Sequence, residues 1–471
     1  MSDLEAQKKR IRYAVSAGML LEVLNKIFPI LLIRFVHSRV GTENFGIAQF
    51  AISVIELTIP FVLFGYDQSC AIQLNKLGRT DQEAKSQLFS SVVVLRVGGA
   101  VLTSLGLIAL AFHSNVFGDQ SLFIPMFVLF TMICALDSSW VLIAFQKTAK
   151  LNFIVGIAKT ISFALIFICI TGPKDIVWYT FLICSTNAAV NIITFQQALK
   201  SITFQRPAKH ILHSTFKKSL PFALIAILMI IIQRIDIVSV QILFSKYELG
   251  IYSGFSRMNH SFYGLIHALA IVFFSEQVAS KSIEEITKVY HYSLFMLCLF
   301  IAPIAMGIWL VDQPLTSLIL GSEFAQHSTI LSILVFSHVG SASIILFGGQ
   351  ILIPQRETKN LSICLLIGIG CFLLGAHWSQ LIQSISDLAL LFAAIKILIG
   401  GLCCYHARKY LKSLVNRSIL GLLLMACLSI LIPIVLGLQN FIWIITSSAL
   451  TYVVLIICFF GKHLKIKGIN L

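Results

Sequence analysis

Apolar runs of about 20 residues recur along the whole chain, separated by short polar segments. Fourteen such runs are read, over 12–37, 45–66, 88–112, 121–145, 152–171, 176–199, 214–243, 252–275, 290–311, 328–353, 361–376, 385–405, 417–437 and 440–460. Each is long enough to cross roughly 30 Å of hydrocarbon. With no water there to satisfy backbone groups, a spanning run must be a helix. The pattern therefore predicts an all-α polytopic membrane protein with short loops, the longest running from about Lys200 to Lys217.

Composition agrees. Of 471 residues 58% are hydrophobic and 12% charged, where a soluble domain carries roughly 25% charged residues. The mean hydropathy is +0.91. Met1 to Arg10 is charged and no small-residue cleavage site follows the first run, so that run reads as a retained span. The 11 cysteines are scattered in or beside apolar runs without CxxC spacing, Cys403 and Cys404 being merely adjacent. They read as small buried hydrophobes, not as disulfides or metal ligands.

Charge sets the topology. With both termini placed in the cytoplasm, only Arg39, Lys174 and Lys246 of the 35 basic residues fall in external loops. Seven more lie inside spans, and the rest gather at the cytoplasmic ends, as the positive-inside rule requires. The net charge of +15 thus sits loop by loop at a membrane edge and implies no nucleic-acid partner.

The halves resemble one another. Gln146–Lys150 follows the fourth span and Gln355–Lys359 the tenth, an offset of 209 that Asp67-Gln68 and Glu276-Gln277 share. Gly46-Ile47 and Gly250-Ile251, at the starts of spans two and eight, are offset by 204. Six-helix repeats of the same orientation follow, a recognised transporter plan with substrate bound between halves. The expected division is a bundle over 1–205, a second over 206–412, and a terminal helix pair with a cytoplasmic tail over 413–471.

Polar residues recur inside the spans at helical spacing. Span eight carries Ser253, Arg257, His260, Gly264 and His267 on one face; span two carries Gln49, Ser53, Glu56 and Pro60; span one carries Gly18, Glu22, Asn25 and Pro29. Small residues serve helix packing. Ionisable ones at bilayer depth cost several kcal/mol unless they meet a partner or a cavity.

The embedded bases are Lys26, Arg34, Arg96, Lys159, Arg234, Arg257 and Lys396; the embedded acids are Glu22, Glu56, Asp137 and Asp236. Glu22 and Lys26 have the favourable i,i+4 order, whereas Arg234 and Asp236 fall on different faces. Arg34 and Arg96 are expected to snorkel from helix ends. The surplus of bases favours an anionic substrate. The binding candidates are Lys26, Arg257, His260, Arg234, Lys159 and Lys396. Glu56, Asp137, Asp236 and Glu22 are candidates for coupling to a proton or Na⁺ gradient. Prolines 29, 60, 125, 221 and 303 are expected to interrupt helices.

No GxxxxGKS/T, HExxH or GxSxG is present, so neither ATP hydrolysis nor hydrolase chemistry is expected, and no cofactor. External loops of about 16 residues at most (Val311 to His327) leave little room for the acceptor site of a polysaccharide polymerase or ligase.

Val40-Gly41-Thr42-Glu43-Asn44-Phe45-Gly46 resembles the Leu-Gly-x-x-x-Phe/Tyr-Gly element of the polysaccharide and O-antigen lipid flippases, in the multidrug/oligosaccharidyl-lipid/polysaccharide exporter superfamily. Phe64-Gly65, Arg96 and Phe145-Gln146 resemble further family positions, and Glu248–Ser253 resembles the second-repeat version of the first element. The resemblance spans most of the first twelve helices. It implies a bacterial inner-membrane flippase that carries an undecaprenyl-pyrophosphate-linked oligosaccharide, such as an O-antigen unit of lipopolysaccharide, by alternating access. Arg257 and Lys26 would then hold the pyrophosphate, and spans thirteen and fourteen would form a groove for the prenyl tail or lie peripherally. Other polysaccharide-assembly membrane proteins are possible partners. The competing readings are a cation-coupled multidrug exporter of the same fold, which predicts an acidic cavity, a membrane-embedded polymerase or ligase, and a non-transporting scaffold.

Overall fold

The computed structural model describes residues 32–77, 81–113, 122–145, 147–280, 282–378, 382–415, 417–436 and 440–460. Among them the secondary structure is helical. Residues 32–40 form α1. There follow α2 (Thr42–Leu63), α3 (Tyr66–Lys76), α4 (Gln82–His113), α5 (Ile124–Cys134), α6 (Ser139–Ala144), α7 (Thr148–Cys169), α8 (Ile176–Leu199), α9 (Lys209–Leu243) and α10 (Lys246–Ala279). Then come α11 (Ile283–Leu310), α12 (Asp312–Ile319), α13 (Ser322–Ala325), α14 (Thr329–Ser343), α15 (Thr358–His377), α16 (Ile385–Ala407), α17 (Arg417–Val435) and α18 (Phe441–Phe460). α14 continues as a π-helix over Ile344–Leu352.

Eleven helices among the described residues are long and apolar enough to cross a bilayer. This is a multi-pass membrane protein. The eleven account for all the predicted spans but three. The first predicted span lies largely outside the described residues, the eighth corresponds to the more polar α10, and the last has only the shorter apolar stretch Trp443–Ile456.

Local chemistry explains where the helices differ from the apolar pattern. The run over 121–145 is two helices, with α5 ending at Cys134 and α6 starting at Ser139. Pro125 therefore interrupts nothing: it occupies the first turn of α5, where a missing N–H has no helical partner to lose. The second run stops at Leu63 because Phe64 (φ 46) and Gly65 (φ 66) both take the left-handed conformation. Pro60, Pro221 and Pro303 do lie inside helices.

The chain divides into two compact units, Met1–Gly254 and Phe255–Leu471, and the division falls within α10. In the first unit α9 packs on α2, α3 and α4. The linker from α8 to α9 is laced along the start of α4. Gln82 Nε2 donates to the Ser201 carbonyl at 2.9 Å, the Gln205 N–H to Ser90 Oγ at 2.9 Å, and the Ala208 N–H to Gln87 Oε1 at 2.9 Å.

Where α2 crosses the start of α10, backbone meets backbone. A Cβ on Gly46 would lie 2.5 Å from the Gly250 nitrogen, and one on Gly250 would fall on the Thr42 carbonyl. Only glycines permit this approach, and they are the pair matched by the 204-residue offset.

In the second unit α14 and α16 make another close contact. A Cβ on Gly340 would lie 2.5 Å from the Lys396 carbonyl oxygen, and one on Gly400 would lie 2.7 Å from Ser343 Cβ. At the α14–α15 turn, Glu357 accepts from Lys409 Nζ at 2.5 Å and Tyr410 Oη at 2.7 Å. Those bonds hold its carboxyl below the ordinary glutamate range.

Candidate functional site

The polar stripe of α2 faces inward in the first unit, because its neighbours Phe45, Ala48, Ile52 and Ile55 are core residues. Gln49 Nε2 donates to Tyr179 Oη at 3.0 Å, and Ser53 Oγ to the Gln49 carbonyl at 2.8 Å. One turn on, Glu56 forms an ion pair with Arg234 of α9. Two residues further along α9, Asp236 is 1% exposed and accepts from Tyr252 Oη at 3.0 Å. Arg234 and Asp236 thus take separate partners on separate faces, as their spacing demands. A proposed binding base and a proposed coupling acid, Arg234 and Glu56, are in direct contact.

Arg96 departs from expectation. It does not snorkel: it is 1% exposed, sits in the body of α4, and forms an ion pair with Asp67. Its other terminal nitrogen donates to the Asp137 carbonyl. One guanidinium therefore joins the first turn of α3, just past the Phe64-Gly65 break, to the α5–α6 break. Its fork geometry suits two acceptors in different directions. Reasoning from hydropathy missed Asp67 as the partner because Asp67 reads there as a loop acid. The Asp137 carboxylate closes the start of α6, accepting from Ser139 N–H at 2.9 Å and Ser139 Oγ at 3.2 Å.

Lys159 is half-buried on α7. It is flanked by Ala158 and Ile161, which help line an apolar groove with Ala189 and Ile193 of α8.

In the second unit Arg257 and His260 are half-buried on α10, and His267 is exposed. Lys396 is 3% exposed, held where α16 lies closest to α14. Its ammonium is 4.2 Å from the Phe392 ring centroid and 6.0 Å from that of Tyr263, an arrangement that stabilises a desolvated cation. His338 of α14 is buried too, with the Phe262 ring edge-on at 6.3 Å. The i,i+4 spacing of Phe392 and Lys396 was a legible signal for this aromatic surround; His338 gave none. Lys26 and Glu22 lie outside the described residues, as does Gln146 of the motif after span four. Among the described residues no cluster of three or more His, Cys, Asp or Glu is placed to hold a metal.

The described residues thus form a multi-pass helical bundle with ion pairs between helices, and solved structures share its fold. A structure of the lipid II flippase MurJ in an inward closed conformation superposes with a TM-score of 0.70 at 16% identity, over 96% of this chain and 100% of that one. An inward-facing multidrug resistance MATE transporter of the MOP superfamily gives 0.57 at 14% identity, over 84% and 97%. A eukaryotic MATE transporter gives 0.55 at 12%, over 89% and 99%. At these identities the likeness is one of fold. The family follows from sequence: the model described as polysaccharide biosynthesis protein matches residues 14–274, more than half of the chain. The chain belongs to that family. No curated protein matches it in sequence.

Proposed function

We propose that the chain is a flippase for a polyprenyl-pyrophosphate-linked oligosaccharide, such as an O-antigen or other surface polysaccharide unit, in the bacterial inner membrane. Family membership carries the reading, since it ties the transporter fold to polysaccharide biosynthesis. The embedded bases supply the chemistry. Guanidinium and ammonium groups suit pyrophosphate oxygens, and Arg257, His260, Lys159 and Lys396 are assigned to the substrate, with Lys26. Arg234 joins them when the anion displaces Glu56, the acid it now holds. Release of Glu56 at that step would let it take up a proton, linking substrate entry to an ion gradient; Asp236, Asp137 and Glu22 are the other coupling candidates.

The fate of the prenyl tail has support in the second unit. Phe262, Pro303, Ile304, Ile430, Ile444 and Ser448 help line an apolar groove of about 310 Å³ formed with α11, α17 and α18. Both termini are assigned to the cytoplasm, no cofactor is required, and transport needs no covalent chemistry from the protein. The multidrug-exporter reading shares the fold but calls for an acidic interior, against the balance of bases found here.

The test is loss of surface glycan. Arg257→Ala should abolish glycan display in cells while the protein inserts at normal levels. Normal glycan on cells carrying that variant would refute the role of Arg257. Glycan unchanged in cells lacking the protein altogether would refute the flippase.

A further inference from the structure

α9 is 35 residues long, about 52 Å at 1.5 Å per residue, against roughly 30 Å of hydrocarbon. Its first turns must therefore stand in the headgroup layer or beyond it. The exposed side shows where the change falls. Lys209, His213 and Lys217 are exposed along one face, and the same face continues as Leu220 and Leu224, also exposed. Cationic groups give way to lipid-facing apolar ones within one turn, as on a helix leaving a bilayer.

The surrounding sequence is one-signed. No Asp or Glu occurs over 176–235, while Lys200, Arg206, Lys209, Lys217 and Lys218 all fall between α8 and the second turn-pair of α9. The exposed rings of Phe204 and Phe216 lie among them. The acids at this end of the unit are Asp81 and Glu83 at the start of α4, which borders the linker through the Gln205 Nε2 bond to the Glu83 carbonyl at 3.1 Å, and Asp67 in its pair with Arg96; none lies on α9 before Asp236.

This basic face is also held still. Phe216 stacks on Phe64 at 5.1 Å and 13°. Ser219 and Ser69 hydroxyls bond to each other, Lys218 Nζ donates to Gln73 Oε1 at 3.4 Å, and the linker is laced to α4. These contacts anchor the backbone beneath the face, so that binding an anion would order only the exposed side chains.

We propose that the face formed by Lys209, His213 and Lys217 is a docking surface for anionic phospholipid headgroups of the leaflet it borders. Charge complementarity selects the headgroup, and Phe216 and Leu220 seat the glycerol and upper acyl region, the combination that binds amphipathic segments to anionic membranes. The inference is independent of what the protein transports.

The experiment uses the full chain carrying Leu220→Trp as a reporter at the apolar edge, reconstituted in phosphatidylcholine vesicles. A fixed fraction of lipid is replaced by acyl-brominated phosphatidylglycerol or by equally brominated phosphatidylcholine, and the five native tryptophans are subtracted with the parent protein. The brominated phosphatidylglycerol should quench more strongly, and each of Lys209→Gln and Lys217→Gln should lower that preference about fivefold. The preference should collapse in 1 M salt, where the Debye length falls to about 3 Å. Equal quenching by the two brominated lipids would overturn the proposal, as would a preference untouched by the substitutions. Preference abolished by inorganic phosphate at constant ionic strength would assign the face to free phosphate and also overturn it. The substituted side chains are exposed; should a variant fail to fold, the salt series on the Leu220→Trp protein decides alone.

Discussion

Arg96 is the residue whose removal reports most directly on how the first unit is held. Its guanidinium is 1% exposed and its partner Asp67 is 32% exposed, so the two ends of the pair are unequal. Breaking a buried pair by removing one partner costs about 3–5 kcal/mol, because the remaining charge is stranded. Asp67→Asn leaves the guanidinium, which water cannot reach, with neutral acceptors only, the Asp137 carbonyl among them, and belongs at the upper end of that range. Arg96→Met strands a carboxylate already one-third open to solvent and belongs at about 3 kcal/mol or below. The double variant should recover most of the loss, since neither charge is then left alone.

Thermal unfolding of the purified protein in detergent reads these differences. For a unit of this size about 1 kcal/mol shifts the midpoint by about 2–4 °C, so Asp67→Asn should lower it by about 10 °C or more. Arg96→Met should lower it less, and the double variant least. The cycle isolates the coupling between the two. If the double variant falls by the sum of the single losses, the pair is not coupled and its proposed role fails. If Arg96→Met is the more damaging single change, the contact with the Asp137 carbonyl is the important one and the ion pair is incidental.

Two other perturbations have clear signs. Gly250→Ala drives a methyl into the Thr42 carbonyl, and Gly46→Ala puts one 2.5 Å from the Gly250 nitrogen; each should cost about 1–3 kcal/mol as overpacking, read as a lowered melting midpoint, while Gly98→Ala, with open space around it, should leave it unchanged. Glu56→Gln removes the counter-ion of Arg234 and should reduce transport more than Glu56→Asp; equal activity of the two variants in a vesicle flipping assay would exclude the pair from the transport cycle.

Much of this was legible in the sequence, and the exceptions share a cause. Spans such as 176–199 were readable because bilayer thickness sets a length that hydropathy records directly. The inward direction of Gln49, Ser53 and Glu56 was readable from helical spacing alone. What hydropathy could not show is backbone conformation inside an apolar run. The break between α5 and α6 holds one acid, Asp137, which by itself does not distinguish a chain break from a charge inside a helix, and Pro125 lies at the far end of α5 from it. Pairing across the fold was equally hidden. Nothing local links Glu56 to Arg234 or Asp236 to Tyr252, since the partners come together only when α2, α9 and α10 pack.

These pairings change the electrostatic argument for an anionic substrate. As a count of embedded bases against embedded acids, the sequence shows a large surplus. Arg96 leaves that count, because its acid is Asp67, which hydropathy places in a loop. Arg234 leaves it in the observed state, because Glu56 neutralises it, and Arg34 is exposed. Lys159, Arg257 and Lys396 are the other embedded bases among the described residues. Of these Lys396 is the most informative, since the Phe392 and Tyr263 rings can stabilise an ammonium without cancelling its charge. In the proposed cycle Arg234 would exchange Glu56 for phosphate, while the rings beside Lys396 would keep its ammonium in place. Glu56 is the coupling candidate in contact with a proposed binding base, which is why it, and not the more deeply buried Asp236, is the acid to test first.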